Sequence, residues 1–200
     1  RTGALFDRSF DLRFRFVDEG IYRPAVAVGF RDVIGTGVYS GEYFVATKRI
    51  TPRFAVTGGI GWGRFGSYNG FTNPLGVIDR RFERRPGGGV GQGGTLRSGQ
   101  WFRGDAAFFG GLEWSATDRL SFKIEYSSDA YNREIRRGNL FTRASPFNFG
   151  ASYRIRPGIE LGAHYLYGAE FGARLTFTFN PKTPPSPSAV TTAQIGRAHV

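Results

Sequence analysis

Two hundred residues suffice for one large domain, and 30 glycines beside 20 Phe, 9 Tyr and 3 Trp argue against helices: glycine weakens helix interiors, whereas aromatics favour pleated surfaces. The absence of cysteine and methionine excludes a disulfide framework and thiolate metal sites and suits an oxidising compartment. A formal net charge of +11, carried almost wholly by arginine because only Lys48, Lys123 and Lys182 are lysines, points to polyanionic contacts such as nucleic acid, lipopolysaccharide phosphate or acidic polysaccharide.

The start at Arg1 reads as a mature or truncated N-terminus. No run reaches the length of a spanning helix, the longest near the start being "AVAVGF". Alternation is the dominant signal. In "SFDLRFRFVDE", Phe10, Leu12, Phe14 and Phe16 share one face while Asp11, Arg13 and Arg15 share the other. Less regular strands cover about Ala25 to Arg31 and Tyr39 to Lys48. "RFAVTGGIGW" sets Phe54, Val56, Ile60 and Trp62 against Arg53, Thr57 and glycines. Gly61 to Gly66 spells G-x-G-x-x-G with Glu83 twenty places after Gly63, yet the following "SYNGFTNPLG" cannot begin the helix that a dinucleotide pyrophosphate needs. These glycines instead lie at a strand end, where small inward positions leave room or allow curvature.

A strand over about Ala106 to Trp114 precedes "LSFKIEYS", with Leu120, Phe122, Ile124 and Tyr126 opposite Ser121, Lys123, Glu125 and Ser127. "FNFGASYRI", "IELGAHYLY" and "FGARLTFTF" repeat the pattern, giving about nine strands. Connections alternate in length: short at "ITP", "SATD" and "RPG", long from Gly63 to Asp105 and from Ser128 to Pro146. Trp62, Trp114, Tyr126, Tyr165 and Tyr167 fall towards strand ends, as an aromatic girdle requires. Together these features predict an all-β, antiparallel, up-and-down transmembrane β-barrel with aromatics facing lipid, partial because an odd strand count leaves edges unpaired. A soluble sandwich or barrel would show the same period with its apolar face as core. The barrel segment is expected over 1–180, followed by a proline-rich periplasmic linker at 181–194. The last six residues, 195–200, resemble a translated sequencing adapter and are set aside, removing His199.

With aromatics turned to lipid, the inward set is Asp11, Arg13, Arg15, Arg31, Glu42, Lys48, Arg53, Glu113, Lys123, Glu125, Arg154, Glu160, His164 and Arg174. Such a lining is either a guide rail for a hydrated polysaccharide or a set of cross-strand ion pairs that fill a narrow barrel. In the longest loop Arg80, Arg81, Arg84 and Arg85 form "RRFERR", a candidate site for lipopolysaccharide phosphate or an acidic polymer. Nucleic acid is disfavoured because no aromatic platform accompanies the cluster. For catalysis, His164 is the one histidine outside the discarded end and no G-x-S-x-G is present; Glu113 with Glu125 is the pair on which glycoside cleavage would have to rest. "DAYNRE" lacks the ligand spacing and turn glycine of a calcium loop, so neither metal nor cofactor is expected.

The segments "VGFRDVIGTGVYSGEYFVATKRI", "GGIGWGRFG", "NPLG", "FGGLEW" and "LSFKIEYSSDAY", spanning most of Val28 to Tyr131, resemble the YjbH family of exopolysaccharide-biosynthesis outer-membrane proteins. Asp32, Gly35, Gly37, Glu42 and Tyr43 carry one part of the likeness, and Gly110, Gly111, Glu113 and Trp114 the other. The resemblance implies a piece of the first of two tandem outer-membrane barrels in a longer protein. It also implies a role in making or exporting extracellular polysaccharide, in contact with outer-membrane lipid, lipopolysaccharide and other envelope proteins of the same operon; the thin catalytic inventory makes a non-enzymatic role the expectation. The alternatives are a soluble or surface β-domain binding anionic glycans, and a barrel hydrolase of surface glycans.

Overall fold

The structure is a computed structural model that describes residues 10–35, 37, 39–87, 96–138 and 142–179. The expected linker at 181–194 and the adapter-like 195–200 lie outside the described residues. Period-two alternation emerges as nine strands: β1 (Leu12–Val17), β2 (Ala25–Arg31), β3 (Gly41–Thr51), β4 (Phe54–Gly63), β5 (Ala106–Ser115), β6 (Leu120–Tyr126), β7 (Phe147–Arg156), β8 (Ile159–Leu166) and β9 (Glu170–Phe177). Each pairs antiparallel with its sequence neighbour, so the sheet is a single meander. β1 and β9 form its two edges, and the sheet does not close.

Turn chemistry explains the neat end. Pro157 and Gly158, with φ of 82° at the glycine, link β7 to β8 in the Pro-Gly order that suits a turn needing positive φ at its second central position. Pro52 lies in the tight β3–β4 turn. The other end carries the excursions 32–40, 64–105 and 127–146. One connection there departs from the expected alternation: β8 passes to β9 through Tyr167, Gly168 and Ala169 alone. Tyr167 and Gly168 both have positive φ (59° and 75°), and the Ala169 amide donates to the Leu166 carbonyl, a tight hairpin reversal.

Register sorts the side chains into two faces. Phe14, Val28, Phe44, Ile60 and Phe108 stand in line across β1 to β5, and farther along the same face of β5 a second line runs from Leu112 through Ile124, Phe149 and Tyr165 to Phe171 on β9. Three of these are more than half exposed, Phe14 at 67%, Phe108 at 65% and Phe171 at 85%. The opposite face is polar and rich in glycine. Two charged residues expected on it are elsewhere: Glu42 faces Phe30 and Trp62 across the ladder, and Lys48 faces Val56, so both stand on the aromatic side.

The 64–105 excursion folds back over the aromatic face at its own end of the sheet. Phe102 stacks on Phe44 with ring centroids 5.5 Å apart and meets Trp62 and Phe30 edge-on, while Trp101 packs on Phe30 and Phe71 on Phe108. Trp62 is thereby buried to 2% exposure, so it is a floor for this loop and not part of a girdle. Where the dinucleotide reading would need a helix, the chain makes a single 3-10 turn, Arg64–Gly66. The 127–146 connection holds an unexpected short helix, α1 (Asn132–Gly138), too short to leave a period in the sequence.

Candidate functional site: a ring-lined cavity on the polar face

Glycines on the polar face create space that rings then fill. A Cβ on Gly59 would lie 2.3 Å from Phe109 Cζ, one on Gly61 would lie 2.4 Å from Phe65 Cβ, and one on Gly29 would lie 2.1 Å from Tyr43 Cζ. Tyr43 therefore meets Phe65 and Phe109 edge-on at centroid separations of 5.4 and 5.9 Å, a favourable arrangement for quadrupoles. Beside this triad lies a cavity of about 450 Å³, bordered by Arg13 and Arg31 on one side and Glu125 and Tyr131 on the other. Thr47 and Thr57, hydroxyl to hydroxyl at 3.0 Å, line its floor. Half-buried rings with charged and hydroxyl groups at the margin suit a ligand that has apolar faces and a polar rim, as a sugar ring has.

Loops close the cavity at the elaborate end. Arg64 is the keystone: its guanidinium bonds Asp129 and, at 2.6 Å, Glu134, and lies over the rings of Tyr39 and Tyr131. Burial works against the Arg64 cation, but the two carboxylates outweigh it and hold it more basic than usual. Burial pushes the Asp129 carboxyl above its ordinary range, opposed by the Tyr131 amide and by Arg64. The Tyr131 phenol is likewise raised, first by burial and then by Tyr167. Ser128 Oγ donates to the Phe65 carbonyl, fixing that ring's backbone to the same lid. A neighbouring cavity of about 280 Å³ lies on the other side of Arg64, towards Ser40, Arg85 and Gln100.

The charged residues expected to face inward divide into groups. Arg13 and Arg31 border the cavity, with Arg31 only 4.0 Å from Asp11. Glu125 also borders it, two places along β6 from Lys123. Glu113 pairs with Lys123 at 3.4 Å and Glu160 with Arg174 at 3.6 Å, both half exposed on the polar face. Glu113, the other half of the hydrolytic pair, is thus engaged by an ammonium. Arg15 pairs with Asp18, Arg53 and Arg154 bond the Ala116 and Asp118 carbonyls in the β5–β6 turn, and His164 lies between Gly150 and Gly172. Lys48 reaches past the sheet end to Glu19 at 2.8 Å and to the Gly20 carbonyl.

Glu42 and Arg85 need the sharpest correction. Glu42 is 1% exposed, and its carboxylate accepts from Arg85 Nη1 at 2.8 Å, Arg85 Nη2 at 2.9 Å and the Phe102 amide at 2.9 Å. Arg85 is therefore the clasp that holds the long loop to β3 and is not an anion site, while Arg80, Arg81 and Arg84 remain exposed on a 3-10 turn and just after it. The remaining motif residues are architectural. Asp32, at φ 57°, accepts from the Tyr39 amide, and a Cβ on Gly35 would collide with its carboxylate at 1.5 Å. Gly37 has φ 72°, Gly110 and Gly111 approach strand carbonyls at 2.9 Å from where a Cβ would lie, and Trp114 stacks on Phe122 across the aromatic face.

Sequence reasoning missed Phe65, Phe109, Arg64 and Asp129. Phe109 was detectable: in "AAFFGGLEW" it occupies the polar phase, opposite Gly59 in the ladder, where an aromatic is anomalous.

A family model, described as "Exopolysaccharide biosynthesis protein YbjH", matches residues 1–198. The chain is also similar to "Uncharacterized lipoprotein YjbH" of Escherichia coli (strain K12), 36% identical over 181 residues, covering 89% of this chain and 25% of that protein. The present chain thus spans a quarter of the length of that relative. No solved structure matches.

Proposed function

The chain belongs to the YjbH family of exopolysaccharide biosynthesis proteins, and on that premise we propose that it is part of the wall of a non-enzymatic outer-membrane β-barrel that assists the assembly or passage of exopolysaccharide. The observation that carries the reading is the wide aromatic face, whose rings are exposed from Phe14 on β1 through Phe122 on β6 to Phe177 on β9 outside the patch that the 64–105 excursion covers. Water is a poor solvent for so wide an apolar surface, and lipid is a good one. The polar face then lines the interior, and the cavity beside Tyr43, Phe65 and Phe109 meets the polymer: rings against sugar faces, Arg13 and Arg31 against acidic substituents. The lipoprotein relative fits a place in the cell envelope.

The test is fractionation of the full-length protein from a Gram-negative host, followed by electrophoresis with and without boiling. Recovery with outer membranes, resistance to alkaline extraction and a heat-dependent shift in mobility are expected. Recovery as a detergent-free soluble protein refutes the membrane placement. In that event the second reading takes over, a surface β-domain that binds anionic glycans through the same cavity. Salt-sensitive retention on an acidic polysaccharide, lost in R13Q/R31Q, distinguishes it.

A further inference from the structure

The 64–105 excursion presents a second chemistry, on the opposite face from the cavity. Its hairpin of 3-10 turns, Pro74–Val77 and Arg80–Glu83, is rigidly clasped: Asn73 is buried, its Nδ2 donates to the Phe82 and Phe102 carbonyls at 2.8 and 2.7 Å, and its Oδ1 caps the Leu75 amide at 3.0 Å. Phe102 in turn is wedged onto the aromatic face of the sheet. The hairpin is therefore fixed to the side that the membrane reading gives to lipid. At its tip Val77 and Ile78 are 93% and 79% exposed, although nothing in an aqueous loop requires two adjacent aliphatic side chains there. Beyond Asp79, whose carboxylate caps the Arg81 amide, come Arg80, Arg81 and Arg84, exposed and interrupted by one acid, Glu83, yet with no carboxylate within 4 Å of their guanidinium groups among the described residues; Arg85, which does have one, is turned away to Glu42.

We propose that this hairpin is a lipid-surface anchor: Val77 and Ile78 dip into the boundary of the hydrocarbon layer while Arg80, Arg81 and Arg84 bind the phosphates of anionic lipid headgroups. An apolar tip with an adjoining arginine cluster is the composition that holds a segment at an anionic interface, and the guanidinium fork matches phosphate oxygens in pairs. Continuity with the aromatic face and charge complementarity with phosphate select a lipid over a soluble polymer. The proposal rests on the membrane placement above, and its test separates the two.

This chain contains no cysteine; with any accessible cysteine elsewhere in the full-length protein replaced by serine, an environment-sensitive label placed at V77C, F108C or G87C reports one position at a time. The protein is reconstituted into bilayers of phosphatidylcholine with or without phosphatidylglycerol, carrying nitroxide lipids as quenchers. Phe108 lies on the aromatic face, and Gly87 borders the smaller cavity in open space. The expected result is quenching at both 77 and 108 and none at 87, with loss of quenching at 77, but not at 108, when R80Q/R81Q/R84Q is introduced or phosphatidylglycerol is omitted. Quenching at 108 with none at 77 overturns the anchor and leaves the membrane placement standing. Absence of quenching at 108 removes both. Displacement of the position-77 signal by soluble acidic polysaccharide, without quenching by lipid, assigns the arginines to a glycan and also overturns the anchor. The V77C measurement stands alone if the triple variant fails to fold.

Discussion

Replacing Glu42 by Ala should release the 64–105 excursion while leaving the strands beneath it paired. The carboxylate is 1% exposed and receives two guanidinium bonds and one amide bond, all at 2.8 to 2.9 Å, from partners 43 and 60 residues away. Its loss strands Arg85, only 17% exposed, and leaves the Phe102 amide without its acceptor. Breaking such a buried pair from one side costs about 3–5 kcal/mol, whereas a surface pair is worth at most about 1 kcal/mol. The Phe102 amide is the natural reporter, because that residue also holds a left-handed φ of 55°, unfavourable for an aromatic, which its wedge position enforces. Hydrogen exchange at this amide, measured in micelles, should accelerate by about two to three and a half powers of ten in E42A. E42Q, which keeps one acceptor oxygen, should fall between E42A and the parent. The apolar pair E42L/R85M should recover much of the loss, because two shape-matched apolar groups leave no charge stranded. Acceleration within about fivefold, the ceiling for an exposed pair, would mean that the clasp carries no energy and that aromatic packing alone holds the loop.

Three further outcomes follow from particular contacts. G59A should lower stability by about 1–3 kcal/mol through overpacking, since its methyl would lie 2.3 Å from Phe109 Cζ and 2.6 Å from the Phe44 carbonyl oxygen; G58A, with nothing within 4 Å, should stay within about 0.5 kcal/mol of the parent in urea titrations. The Lys48 side chain and the Arg49 amide hold the Glu19 carboxyl below its ordinary value of 4.5. The stability contributed by this carboxylate is therefore fully present above that value and lost as pH falls through the lower folded value; carboxyl-carbon NMR showing titration at or above 4.5 contradicts it. R64A should loosen the 127–146 connection by about 3–5 kcal/mol, because Asp129 is 6% exposed and loses its cation. R64K should restore only part, an ammonium being unable to bridge Asp129 and Glu134 as a fork does; limited proteolysis of that connection reads both.

The strands were legible because their chemistry is local. Ala25–Arg31, although less regular, is the strand read from the sequence, with Pro24, which cannot donate to a ladder, just before it, and "LSFKIEYS" declared both faces at every position. β3 was ambiguous because Tyr43 and Val45 on one phase are as apolar as Phe44 and Ala46 on the other. Charge alone put Glu42 and Lys48 on the polar phase, and it misled for both. Both escape the expected face through partners that alternation cannot register: an arginine 43 residues downstream, and a turn glutamate 29 residues upstream that Lys48 reaches along its alkyl stem. Within "RRFERR" the same limit applies. Composition makes the four arginines equivalent, and the fold alone separates the one that is bound from the three that are free to meet a ligand. The ring triad was hidden for the opposite reason: glycine signals vacancy in a sequence, and only pairing of Gly59 with Phe109 reveals which side chain occupies it.

The number of crossings has a topographic consequence. β1 begins beside the elaborate connections, where the Phe10 carbonyl accepts from the Val33 amide, and β9 finishes beside the tight ones, where the Thr178 amide donates to the Gly158 carbonyl. With an odd count the polypeptide enters at one rim and leaves at the other. In a bilayer, reporters fused just ahead of Phe10 and just past Phe179 would light up in different compartments, so the two flanks of this segment answer to opposite sides.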